Sequence, residues 1–262
     1  FAAYPVKAQK QTQETQLAAK ILERVPDLPS TQAALGREEE RPARALWHAR
    51  AIVSAADAHQ AQWATFKRQG QWQHFDPRRD LPALIAAITL RESWFTPVIR
   101  VDGGARITGN GAVPAHVAKG GSPPAADRGV MQVRAPSRPA SKCGVTNNEK
   151  LRWLVTDLEF SYKVGTCILT QSLKKYVSKY NDRTKHKLAP GLRPANELRF
   201  FGFWGPRKDT DQAALARELV VIERYNWGGS DLYEHPTASG YARRVLTEFE
   251  FFRITTGPDD QG

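Results

Sequence analysis

Glu92 is the residue in this chain best placed to hold and release a proton. It stands near the end of an apolar stretch, residues 84–97, and is followed at once by Ser93, Trp94 and Phe95. A carboxyl beside aromatic side chains at the end of a buried helix is expected to keep its proton, because burial disfavours the charged form. A carboxylic acid still protonated at neutral pH can serve as a general acid. The plainer alternative is a partly exposed Glu in a last helical turn, paired with a nearby arginine, since structural ion pairs also hold carboxylates in unusual places. Further along the chain lie other groups able to bond a polar ligand: Gln132, Tyr225, Asn226 and Tyr241, with Asp102 and Asp127 as additional carboxylates.

The element that must position Glu92 is a helix. Leu81, Leu84, Ile85, Ile88 and Leu90 are spaced to bury a broad face, and Asp80-Leu81-Pro82 supplies a cap with proline at an early helical position. Pro97 ends it, because the residue before proline avoids helical geometry. Residues 42–68 are expected to form one long amphipathic helix carrying Leu46, Ala49, Ile52, Val53, Ala56 and Trp63 on one face. Residues 149–180 are expected to form the longest helix, apolar over so wide an arc that it should be central. Gly165 within it implies close packing against another backbone, since glycine there otherwise costs about 1 kcal/mol. A last helix is expected from about 238 to 252, and another over 209–225. Residues 98–128 are rich in Gly and Pro and read as a long loop with a short hairpin around Gly109-Asn110-Gly111. A loop of that length in a compact domain is functional or disordered.

Before residue 42 the composition differs. Residues 1–41 are polar, with a helix whose Leu17, Ile21, Leu22 and Val25 share a face, then a break at Pro26 and Pro29 and the acidic run Glu38-Glu39-Glu40. This divides the chain into an N-terminal helical extension, 1–41, and a larger domain, 42–262. The chain opens at Phe1 rather than Met, which fits removal of a leader. At 262 residues it can bury a proper core. No apolar run reaches bilayer-spanning length. A net charge of +11 points to an anionic partner: nucleic acid, acidic wall polymer or membrane surface. No nucleic-acid recognition motif accompanies the charge. Cys143 and Cys167 match no zinc or redox spacing, so no metal or cofactor is expected. They can pair as a disulfide between a loop and a long helix, or remain two unrelated buried thiols.

Four short pieces occur in a telling order: Glu92-Ser93, Gly129-Val130-Met131-Gln132, Tyr225-Asn226-Trp227-Gly228 and Tyr241. In this the chain resembles the soluble lytic transglycosylases and the related goose-type lysozymes, whose motifs run Glu-Ser, Gly-Leu-Met-Gln, Ala-Tyr-Asn and a late Tyr. The resemblance spans residues 80–252. It implies a mainly α, lysozyme-like domain with a groove for peptidoglycan glycan strands, exported to the periplasm or cell envelope, with wall or secretion-apparatus proteins as further partners. Glu92 would be the single catalytic acid. Ser93, Ser122, Met131, Gln132, Tyr225, Asn226 and Tyr241 would line the substrate, Ser122 only as an approximate counterpart of the family's serine. Met131 and Tyr241 could equally be core residues and Asn226 a helix cap. Arg134 stands where goose-type lysozymes carry an Asp, and would meet a peptide-stem carboxylate or Glu92 itself. A hydrolase using Asp127 or Asp102 to activate water is the rival reading, and a wall-binding scaffold without turnover is another.

Overall fold

The computed structural model describes residues 3–26, 32–68, 75–100, 106–108, 126–181 and 239–253. Among these residues the fold is mainly α, with one small antiparallel sheet. Helix α1 (Ala3–Arg24) and the short α2 (Gln32–Leu35) lead through a 3-10 turn (Glu38–Glu40) into α3 (Arg41–Asp57), α4 (Gln60–Arg68) and α5 (Pro77–Ser93). Strands β1 (Val98–Arg100), β2 (Arg106–Thr108), β3 (Ala126–Gly129) and β4 (Val133–Ala135) come next. Then follow α6 (Arg138–Lys142), α7 (Asn148–Thr156), α8 (Leu158–Asn181) and α9 (Ser239–Phe252).

Helix α5 is the axis of the fold. Leu81, Ala83, Leu84, Ile85, Ala86, Ala87, Ile88 and Leu90 are all buried, so it is enclosed on every side by α3, α4 and α9. The sequence assigned this central place to residues 149–180. That stretch is instead two helices, separated by Asp157 in extended geometry, whose carboxylate accepts from Phe160 N at 2.9 Å and caps α8. The expected helix over 42–68 is likewise broken, at Ala58 and His59. There His59 O accepts from both Gln62 N and Trp63 N, turning Trp63 to stack on Phe75 at 5.2 Å and to donate to Thr170 Oγ1 at 3.0 Å. In both places apolar periodicity runs through the break and conceals it.

Helix α5 also begins earlier than expected. Asp76 is the cap, accepting from Arg78 N at 3.0 Å, Pro77 takes the first helical position, and Pro82 lies inside the helix. Proline at 82 has no N–H for the Arg78 carbonyl. Gln13 of α1 supplies the missing donor at 2.7 Å.

The sheet runs β2-β1-β3-β4, all antiparallel. Arg106–Thr108 pairs antiparallel with Val98–Arg100, with Arg100 opposite Arg106, and the hairpin expected around Gly109-Asn110-Gly111 is a separate expectation. Gly109, Asn110 and Gly111 lie outside the described residues, as does the expected helix over 209–225. Cys143 and Cys167 form a disulfide, joining the end of α6 to α8.

Helix α1 packs its Leu17 and Ile21 into the same core as α5, with Val25 just beyond its end. Its polar face clasps α9. Arg24 makes a two-point pair with Glu248, Nε to Oε2 at 2.7 Å and Nη2 to Oε1 at 2.8 Å. Lys20 donates to the Phe251 and Arg253 carbonyls at 2.6 and 2.9 Å, closing off the end of α9.

Candidate active site

Helices α5 and α9 run antiparallel, and one carboxylate marks each end of the pair. At the start of α5, Asp80 meets Arg253 just past α9; at its end, Glu92 meets Tyr241 in the first turn of α9. The spacing between Asp80 and Glu92 equals that between Tyr241 and Arg253, so both contacts follow from one register. Between them Leu81, Leu84, Ile88, Val245, Phe249 and Phe252 share the central core cluster. Burial of these side chains fixes the register, and the register delivers the Tyr241 hydroxyl to Glu92.

That hydroxyl donates to Glu92 Oε1. Glu92 is only 9 % exposed, at the rim of the core rather than inside it. Ser93 points the other way. Its Oγ donates to Val130 O at 2.6 Å, with Thr89 O a longer acceptor at 3.2 Å. Ser93 thereby ties the helix bearing Glu92 to the turn between β3 and β4.

Gly129-Val130-Met131-Gln132 is that turn, with Gln132 N donating to Gly129 O at 3.3 Å. Each residue has a mechanical place in it. Gly129 has φ +76, and a Cβ there would fall on Leu154 O and Ser161 Oγ, so no larger residue fits. Val130 is held on both sides, its carbonyl by Ser93 and its N–H by Ser161 Oγ at 3.2 Å. Met131 is fully buried and fills the space a side chain at Gly165 would need. The close approach expected at Gly165 is therefore made by the Met131 side chain, not by another backbone. Gln132 has φ 48 and bends its Nε2 back to Gly129 O at 2.7 Å. The break before α8 serves this arrangement, since it places Leu154 O and Ser161 on either side of Gly129.

Of the residues expected at the site, Glu92, Ser93, Gln132 and Tyr241 converge on the junction of α5, α9 and the β3–β4 turn. Met131 lies beneath it, in the core. Ser122, Tyr225, Asn226 and Asp102 lie outside the described residues. Asp127 and Arg134 face each other across β3 and β4, with Arg134 Nη1 3.7 Å from Asp127 Oδ1. Neighbouring Arg128 is buried, which lowers its pKa, while Asp127 works in the opposite direction. Ser161, which anchors the turn, carries no motif and was not picked out in the sequence.

Behind the site is a buried polar pair. His48 Nδ1 lies 2.9 Å from the Tyr162 hydroxyl, and its ring stands edge-on to Phe95 at 5.4 Å. Burial pushes His48 down to about 4, with Arg44 adding to the effect and a bond to the Ala34 backbone opposing it. Tyr162 is pushed up by burial. Both are neutral at neutral pH, so the wall behind Phe95 carries no charge.

Among the described residues no group of His, Cys, Asp and Glu could hold a metal ion, and no helix is long and apolar enough to cross a membrane. The arrangement can position a carboxyl by a phenol hydroxyl, at a helix end clamped to a β-turn. No protein-family model, characterised protein or solved structure matches the chain.

Proposed function

We propose that this protein is an exported peptidoglycan lytic transglycosylase with a lysozyme-like catalytic domain, cleaving the bond between N-acetylmuramic acid and N-acetylglucosamine with Glu92 as its single acid. The observation that carries this reading is the bond from Tyr241 to Glu92, which joins the first and last pieces of the ordered motif series across the α5–α9 pair. Glu92 gives its proton to the glycosidic oxygen as the bond to C1 breaks. It then takes the proton of the muramyl C6 hydroxyl as O6 attacks C1, closing a 1,6-anhydro ring. The carboxyl ends protonated, as it began, and no water is consumed. That route needs one carboxyl where most glycosidases need two.

Tyr241 suits both halves of the cycle. Its hydrogen bond fixes one carboxyl oxygen, and such a bond strengthens once the carboxyl is ionised. Three further features agree with the reading. Asp127, the described carboxylate with a claim to activate water, is engaged by Arg134. The charge of +11 suits an anionic wall polymer. The Cys143–Cys167 disulfide suits an oxidising compartment such as the periplasm.

The test is release of soluble muropeptides from purified sacculi. Glu92→Gln keeps the shape and loses the proton, so release should fall on the order of a thousandfold with unchanged thermal unfolding. Near-normal release would remove Glu92 from the mechanism. Asp127→Asn should cleave at close to the parent rate; a collapse of activity there would favour a hydrolase.

A further inference from the structure

We propose that Trp94 is a stacking platform for a pyranose ring in the subsite adjoining Glu92. The inference rests on the glycan-cleaving reading above and adds to it a residue outside the motifs. Trp94 closes α5 in the left-handed region, with φ 56 and ψ 41, and its N–H donates to Leu90 O at 3.1 Å. That position is usually glycine, because a Cβ there crowds the following carbonyl. Phe95 follows with φ 61, so two bulky residues in succession hold a conformation that disfavours them.

Packing explains Phe95. It is fully buried, with its ring set against His48 at 5.4 Å and Phe252 at 6.2 Å. Packing does not explain Trp94. It is 42 % exposed, and among the described residues no ring, cation or hydrogen-bond partner engages its indole. Trp47, the other large apolar side chain exposed among the described residues, sits in regular helix on α3 and carries no such strain. The left-handed turn serves the fold by ending α5 ahead of buried Phe95, but an exposed indole on it, where glycine would do, adds nothing to the fold. Strain of this kind gathers where a ligand needs the side chain.

The ligand follows from the chemistry of the place. Trp94 is two residues from Glu92, so their Cα atoms are at most about 7.6 Å apart. Within that separation one sugar ring can rest on the indole while the neighbouring glycosidic bond reaches Glu92. Pyranose rings of a β-1,4 glycan carry axial C–H groups on each face, giving apolar, weakly positive patches. These match the negative face of an aromatic ring. An N-acetylhexosamine ring flanking the cleaved bond fits both requirements.

Calorimetry with a defined tetrasaccharide of alternating N-acetylglucosamine and N-acetylmuramic acid tests this, in a Glu92→Gln background that does not turn over. Trp94→Gly should weaken binding about tenfold, equivalent to ~1.4 kcal/mol, while the thermal midpoint holds or rises because the left-handed strain is relieved. Trp94→Phe should keep most of the affinity and Trp94→Leu should lose it. With Glu92 restored, Trp94→Gly should raise KM more than it lowers kcat, since stacking serves substrate and transition state alike. Unchanged affinity in Trp94→Gly, or Leu binding as well as Phe, overturns the platform. The Phe and Leu pair decides the matter if the glycine variant fails to fold. If wild type neither binds the tetrasaccharide nor cleaves sacculi, the enzyme reading falls and the platform with it. If wild type cleaves and KM is untouched in Trp94→Gly, the platform alone falls.

Discussion

The two ends of the α5–α9 pair hold carboxylates in opposite styles. Asp80 is 0 % exposed; its Oδ1 accepts from Arg79 Nε at 2.7 Å and Arg253 Nε at 3.0 Å, and its Oδ2 from Asp76 N at 2.7 Å and Arg79 Nη2 at 3.1 Å. Glu92 lies at the rim, bonded by a phenol, with the neutral His48–Tyr162 pair behind the aromatic residue that follows it. One register produces both contacts, yet one end is held by two arginines and the other by a phenol hydroxyl. A carboxylate that serves only the fold is surrounded until nothing can reach it. One that serves chemistry, as proposed for Glu92, keeps a surface and a partner that suits either protonation state.

Asp80→Ala should give the largest stability effect of any change at the two ends. It leaves Arg79 and Arg253 without their shared partner, and breaking such a buried pair costs about 3 kcal/mol or more. Chemical denaturation would measure it, and activity per folded molecule should be kept. A loss under 1 kcal/mol would mean that the charged end does not hold the helices together.

Acid should weaken the neutral end through His48. Above pH 6.5 His48 is neutral in folded and unfolded chains alike, so its contribution is complete. As pH falls below 6.5 the unfolded chain takes up a proton that the folded protein refuses until about pH 4. Stability should therefore fall by about 3 kcal/mol across that window. Denaturation at stepped pH would show it, and His48→Gln should flatten that part of the curve. An equal slope in both proteins would remove His48 as the cause.

Tyr241→Phe should be the mildest change to the fold. It removes the hydrogen bond to Glu92, worth about 1 kcal/mol, and keeps the ring packed on the core. Cleavage should nevertheless drop about tenfold or more, because the carboxyl loses its positioning donor. A variant with full activity would separate Tyr241 from the chemistry and leave it a packing residue.

Much of this was written in the sequence where side-chain spacing carries the signal. The burial of Leu84, Ile85 and Ile88, the apolar face of α1 and the last helix all follow from period and composition. Glycines 129 and 165 announce close contacts, though not which atoms make them. The strands were hidden because three-residue segments such as Val98–Arg100 are too short to show alternation. The breaks at Ala58–His59 and Asp157 were hidden because apolar residues keep helical spacing on both sides. The meeting of Glu92 with Tyr241 spans 149 positions. Only the order of motifs suggested it, since periodicity says nothing about which helices become neighbours. The exposure of Trp94 had no signal at all, as an aromatic residue beside Phe95 reads as core.

Mass spectrometry of the muropeptides released by the wild-type protein from purified sacculi tests the central claim most directly. The single-acid route predicts anhydro-muramyl ends, lighter by one water than the hydrolysed products, and their disappearance with Glu92→Gln. Reducing ends would contradict it, showing that water attacks and that a second carboxylate takes part.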